Sequence, residues 1–161
     1  MNIQPLAFID TWAFSATLYA RYKERFVGEH HSMDLIPLRS EEGALPILAE
    51  WKSAKALLAR IRVAAAPFMG DRTPDLGQAA VVRLKPGGFI EWSREEAGTS
   101  LHLPIVPCPG AWVYAGGEAS VLPVGQLTYV NRRVPWSAVN FGEHSVIHLI
   151  VDVSVPDAAD D

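Results

Sequence analysis

From Gln78 onward the chain is a succession of short apolar runs broken by Gly and Pro: "AAVVRLKPGGFIEW", "TSLHLPIV", "AWVYAGGEASVL", "GQLTYVN", "AVNF" and "SVIHLIVDV". Runs this short do not make helices of ordinary length. The breaks between them supply turns that reverse the chain, so this half is restricted to antiparallel strands closed into a sandwich or barrel. Strands of that kind leave an apolar outer face that something else must cover.

The first half supplies the cover. "FIDTWAFSATLYARYKERF", Phe8 to Phe26, spaces Phe8, Trp12, Leu18, Tyr22 and Phe26 at three- and four-residue intervals, and its later turns carry Arg and Lys, where the helix dipole favours them. "ALPILAEWKSAKALLARIRVAAAPF" is a second helical segment, with Trp51, Leu57, Leu58 and Ile61 on its apolar face and Pro67 at its end. Between the two lie a His- and Gly-containing loop and "MDLIPLRS", a short strand candidate; "GDRTPDLGQ" is a turn-rich connector. The predicted organisation is one domain: a mainly helical part over 1–75, a β core over 76–156, and a frayed acidic tail over 157–161. With 161 residues the chain is long enough for one sizeable core, and no internal repeat divides it.

Composition excludes several classes of partner. A net charge of −4 argues against nucleic acid, which rewards basic stripes. No apolar run approaches the roughly 20 residues of a membrane span. "MNIQPLAFIDTW" lacks the basic and apolar regions of a signal peptide, so a cytoplasmic location is expected. The single cysteine, Cys108, cannot make an internal disulfide and stands between two prolines with no basic neighbour in sequence.

Taken in order, five strand segments resemble the aspartyl/asparaginyl β-hydroxylase family: "HHSMDLIPLR", "VVRLKPGGFIEW", "LHLPIVPCPG", "PVGQLTYVN" and "WSAVNFGEHSVIHLIVDV". The resemblance covers most of the chain. It implies an α+β fold in which N-terminal helices pack on a double-stranded β-helix, a jelly-roll, cupin-like barrel. It also implies a site for iron(II) and 2-oxoglutarate, and here the residues depart from the family pattern. The first His position falls on Ser93 and the carboxylate position on Glu95. The second His position falls on Trp136, the 2-oxoglutarate arginine on Val146, and the substrate arginine on Ser100. Iron of this kind is held by two histidines and a carboxylate, and a dicarboxylate co-substrate calls for a guanidinium fork. With those side chains replaced, the expectation is no metal site, no iron and no 2-oxoglutarate.

Strand alternation then identifies what the emptied interior holds. An inward Val146 carries His148, Ile150 and Asp152 inward with it; an inward Ser100 does the same for His102; and Glu91, Ser93 and Glu95 share one face. His102 and His148 are the candidate catalytic residues, as general acid or base. Glu91, Ser93, Glu95, Ser100, Trp136, Val146 and Asp152 are the candidate pocket residues. The competing expectation is that His102, His148 and Asp152 are buried polar groups satisfied by structural partners. His30–His31 and Arg132–Arg133 read as solvated turns, the latter with an anion-binding lip as its alternative. The glycines of "AGGEAS" and of Pro86 to Gly88 read as strand turns rather than nucleotide loops. Trp12, Trp51, Trp92 and Trp112 read as packing residues.

Four functions follow as expectations. One is a non-catalytic barrel that takes an apolar or aromatic small molecule, or a protein partner. Another is a metal-free isomerase, cyclase or dehydratase using His102 or His148. The others are an iron enzyme with a rearranged site and a supporting subunit for an active relative.

Overall fold

A computed structural model describes residues 1–30, 33–93, 99–107 and 109–154, with backbone alone at 29, 30 and 91–93. Twelve strands are described: β1 (Ile3–Phe8), β2 (Val27–His30), β3 (Met33–Ser40), β4 (Gly43–Ala44), β5 (Asp75–Leu84), β6 (Phe89–Ser93), β7 (Thr99–Pro104), β8 (Ala111–Ala115), β9 (Glu118–Ser120), β10 (Gln126–Asn131), β11 (Trp136–Asn140) and β12 (Val146–Ser154). They form two antiparallel sheets. The larger runs β1-β10-β7-β12-β5-β3-β2, with β4 beside β3, and the smaller runs β6-β11-β8-β9. The helices are α1 (Trp12–Thr17), α2 (Ile47–Glu50) and α3 (Lys52–Ala65).

The larger sheet has an apolar layer on each face. On its outer face Ile36, Leu38, Val81, Leu101, Leu149 and Val151 pack against Phe14, Leu18, Trp51, Leu57 and Ile61 of the helical layer. On its inner face Leu84, Val130 and Val146 meet Val113, Ala115, Trp136 and Ala138 of the smaller sheet. The strand runs expected after Gln78 and the short strand at "MDLIPLRS" are all formed.

The first helical segment begins later than its rhythm predicts. Phe8 ends β1, and α1 starts at Trp12, whose amide donates to Asp10 Oδ1 at 2.9 Å. The buried face is Phe14, Leu18 and Tyr22, while Phe8 and Trp12 are 72% and 75% exposed. The segment does not stay α-helical: it widens into a π turn at Leu18–Tyr22 and tightens to a 3-10 turn at Lys23–Arg25. β1 itself escaped the sequence reading because of Pro5, which has no amide to give a ladder. At the edge of a sheet that loss is tolerated, and β1 is the edge strand beside β10.

The second segment breaks at Trp51, where φ −96° and ψ 78° separate α2 from α3. The turn drives the indole into the core. It stacks between Phe14 and Tyr22, with centroids at 4.8 and 4.1 Å, and its Nε1 donates to Thr17 Oγ1 at 2.8 Å and Ser53 Oγ at 3.0 Å. An indole fully buried with its one donor satisfied is a strong anchor for the helical layer.

Candidate functional site

The site is assembled where β7 and β12 run side by side on the inner face. Their register pairs His148 with Pro104, Ile150 with His102, and Asp152 with Ser100. Residues opposite one another in an antiparallel pair point to the same face, so the alternation inferred along each strand places one polar row beside the other. Ser100 and His102 are fully buried and His148 is buried. Ser100 Oγ and His102 Nε2 lie 3.1 Å apart. The rings of His102 and His148 meet edge-on at 6.2 Å, and that of Trp136 meets His102 edge-on at 5.9 Å. Among the described residues, His102 Nδ1 and Trp136 Nε1 are buried with no hydrogen-bond partner.

Burial sets the charge state of both imidazoles. It lowers the His148 pKa to about 4. For His102 burial again dominates, and the neighbouring His148 and the Arg132 guanidinium push in the same direction, holding it well below its ordinary value. Desolvation disfavours the charged form, so both rings are neutral at pH 7.

Arg132 is the residue that the sequence reading misplaced. It sits in the turn after β10, but it is only 8% exposed, ion-paired to Asp152, with its guanidinium carbon 5.6 Å from the Trp136 ring centroid. A two-residue period carried past the strand end would have found it, since Thr128 and Val130 are the buried inward residues that precede it. The charged doublet suggested solvent instead.

The ladder is irregular opposite Asp152. Val151 pairs with Ala79 and Val153 with Leu76, so Gly77 and Gln78 of β5 together face the one residue Asp152. The bulged strand is β5, which bends there, while β12 keeps its alternation and Asp152 faces inward with His148 and Ile150. Glycine suits the position because a Cβ on Gly77 would stand 3.3 Å from Asp152 Cβ. Arg39 stabilises the distorted segment: its Nε donates to Gly77 O and its Nη2 to Leu76 O, both at 3.1 Å.

A cavity of about 420 Å³ opens over this end of the barrel. Leu35, Val82, Ile90 and Ile150 contribute apolar lining, and Trp136, Arg132, Asp152 and Arg39 line it as well. Of the predicted residues, Ser100, His102, Trp136, His148 and Asp152 are brought together on the inner face, but only Trp136 and Asp152 line the cavity. Ser100, His102 and His148 are buried without lining it, and Val146 is buried in the packing between the sheets. The backbone of Ser93 lies opposite Trp136, across a register shift that breaks strict alternation in β6. The side chains of Glu91 and Ser93, all of Glu95, and also His31 and Cys108 lie outside the described residues. Among the described residues no three His, Cys, Asp or Glu side chains cluster as metal ligands would, and no helix is long and apolar enough to cross a membrane.

No protein-family model matches the chain, and no curated protein matches it in sequence. Solved structures do match in shape. A viral collagen prolyl hydroxylase from Paramecium bursaria Chlorella virus-1, solved as its 2OG complex, superposes with a TM-score of 0.68 at 9% identity, over 95% of this chain and 96% of that one. A Pseudomonas putida prolyl-4-hydroxylase gives 0.65 at 13% identity, over 96% and 92%. A 2OG-Fe(II) oxygenase-family oxidoreductase from Burkholderia pseudomallei gives 0.64 at 16% identity, over 89% and 78%. The chain shares their fold, an α+β jelly roll of the double-stranded β-helix kind with helices packed against one sheet.

Proposed function

We propose that this chain is a metal-independent relative of the aspartyl/asparaginyl β-hydroxylases, a single cytoplasmic domain whose barrel binds an apolar or aromatic small molecule in place of iron and 2-oxoglutarate. The observation that carries the reading is the packing of the Trp136 indole against His102 inside the barrel. An iron centre of this class needs two imidazoles and a carboxylate converging on one point with open positions beside them. The described residues do not fit that requirement. Trp136 packs edge-on against one of the two interior imidazoles, His102 Nε2 engages Ser100, and Asp152 is engaged by Arg132. The position that the resemblance gives to the 2-oxoglutarate arginine is Val146, buried among apolar side chains between the sheets, so a dicarboxylate loses its guanidinium there. The cavity volume and its mainly apolar lining suit a small molecule.

The test is metal analysis of the purified protein, followed by anaerobic calorimetric titration with iron(II) and then 2-oxoglutarate. No stoichiometric metal and no 2-oxoglutarate heat is the expected result. Tight binding of both would replace this reading with a rearranged iron site.

A second reading is favoured by the neutral imidazole pair. His102 and His148, uncharged at pH 7 and buried on the inner face with His102 against Trp136, suit proton transfer in a metal-free isomerisation, cyclisation or dehydration. Alanine at both positions abolishes turnover on this reading and leaves ligand binding intact on the first.

A further inference from the structure

Resting on the small-molecule reading above, we infer that the cavity selects apolar monocarboxylates, seating the carboxylate between the Arg132 guanidinium and the Trp136 indole N–H. Three observations converge on this class.

The first is charge. Among the described residues the cavity is lined by two cations, Arg39 and Arg132, and one anion, Asp152. These described side chains put guanidinium groups inside walls that are otherwise apolar. An acid group finds a guanidinium there to pair with, whereas an ammonium finds Asp152 already engaged by Arg132.

The second is an unmet donor. Trp136 lines the cavity, is 4% exposed, and its Nε1 has no acceptor among the described residues. An indole N–H only donates, and a buried donor left without an acceptor is costly. A carboxylate oxygen is the acceptor that position lacks. His102 Nδ1, against the same ring, is the second buried polar atom there with no partner among the described residues.

The third is geometry. The Arg132 guanidinium lies 5.6 Å from the Trp136 centroid, so cation and indole stand together on the cavity lining. Asp152 already engages Arg132, showing that a carboxylate reaches it here. The ligand's carboxylate joins or displaces Asp152, and a guanidinium with five N–H donors accommodates either arrangement. The rest of the ligand lies along Leu35, Val82, Ile90 and Ile150. A second carboxylate would meet either those walls or Arg39, whose Nε and Nη2 already donate to Gly77 O and Leu76 O, which sets the class at one acid group on an apolar body.

The experiment is calorimetric titration of the whole protein at pH 7.5 with octanoate and 4-phenylbutyrate, each beside its neutral amide. The expected result is that the acids bind about tenfold or more tightly than the amides, the usual value of a hydrogen bond to a charged group. Trp136→Phe keeps a ring in place and removes the N–H, and Arg132→Gln removes the charge; each reduces the acid-to-amide ratio by about threefold to tenfold. Should Arg132→Gln fail to fold, Trp136→Phe decides alone. Equal binding of acid and amide overturns the carboxylate inference while leaving the apolar-cavity reading standing. So does an acid preference untouched by the substitutions. Absence of binding by all four probes overturns both.

Discussion

Arg132 and Asp152 form an ion pair that ties the turn after β10 to the last strand of the sheet, at a point where the side chains are 10% and 31% exposed. A guanidinium this well covered draws on its carboxylate, and neutralising Asp152 removes one of its charge-assisted contacts. Asp152→Asn is therefore expected to lower stability by about 1–3 kcal/mol. The double substitution Arg132→Met with Asp152→Leu recovers most of that loss, because apolar side chains of similar volume replace a desolvated pair without its penalty. Urea denaturation of the single and double variants, analysed as a cycle, checks both values.

Acid should weaken the fold through the imidazole pair. His148 titrates near pH 4 in the folded chain and His102 is also held low, whereas an unfolded imidazole titrates near 6.5. Above pH 6.5 both states are unprotonated and stability is at its full value. Between about 6.5 and 4 the unfolded chain binds protons that the folded chain refuses. Stability then falls with pH by up to about 1.4 kcal/mol per unit for each ring. Denaturation midpoints measured from pH 8 to 5 should drop accordingly, and His148→Gln should flatten the slope. A flat profile in the parent protein would show that the rings are not buried.

Truncating Trp136 to Ala should cost about 3–5 kcal/mol, the range for deleting a large buried aromatic side chain. Trp136→Phe should cost much less. The difference between them, read by chemical denaturation, reports how much of the barrel interior the indole fills.

At the amino end, Glu118 accepts hydrogen bonds from the amides of Asn2 at 3.0 Å and Ile3 at 2.9 Å, and those bonds lower its pKa. The carboxylate thus caps the start of the edge strand β1. This tether is present above the ordinary carboxylate range and is lost as pH falls through the lowered folded value. Glu118→Ala should speed hydrogen exchange at Asn2 and Ile3 with little effect on the amides of β12.

The barrel half was legible because Gly and Pro divide its apolar runs at strand length, and because a period of two assigns faces. That period put Ser100, His102, His148 and Asp152 on one interior surface once the family resemblance had set Val146 and Ser100 inward. It failed where the chain leaves the ideal ladder. The bulge opposite Asp152 depends on hydrogen-bond register between β5 and β12, and no local pattern around Gly77 announces it. Arg132 was concealed by its charge, since an Arg doublet in a turn reads as solvated unless its carboxylate partner, distant in sequence, is known. β1 was concealed by Pro5. The helical segments were found by their rhythm, but the burial of Phe14 in place of Trp12 follows from where Asp10 lets the helix begin.

Gly77→Ala tests the bulge directly. The added methyl would meet Asp152 Cβ at 3.3 Å, close enough that one side chain must yield. The expected outcome is a loss of about 1–2 kcal/mol and a change in octanoate affinity as Asp152 shifts against Arg132. An unchanged affinity alongside the stability loss would confine the bulge to a structural role.

Along β12 the odd-numbered residues Ile147, Leu149, Val151 and Val153 belong to the helical packing, while His148, Ile150 and Asp152 face the interior. One strand thus answers to two masters that never meet. The helical cover is held by one side of a wall a single backbone thick, and the buried polar row lies on the other. A chain built this way can change its chemical vocabulary almost completely without disturbing the grammar that folds it.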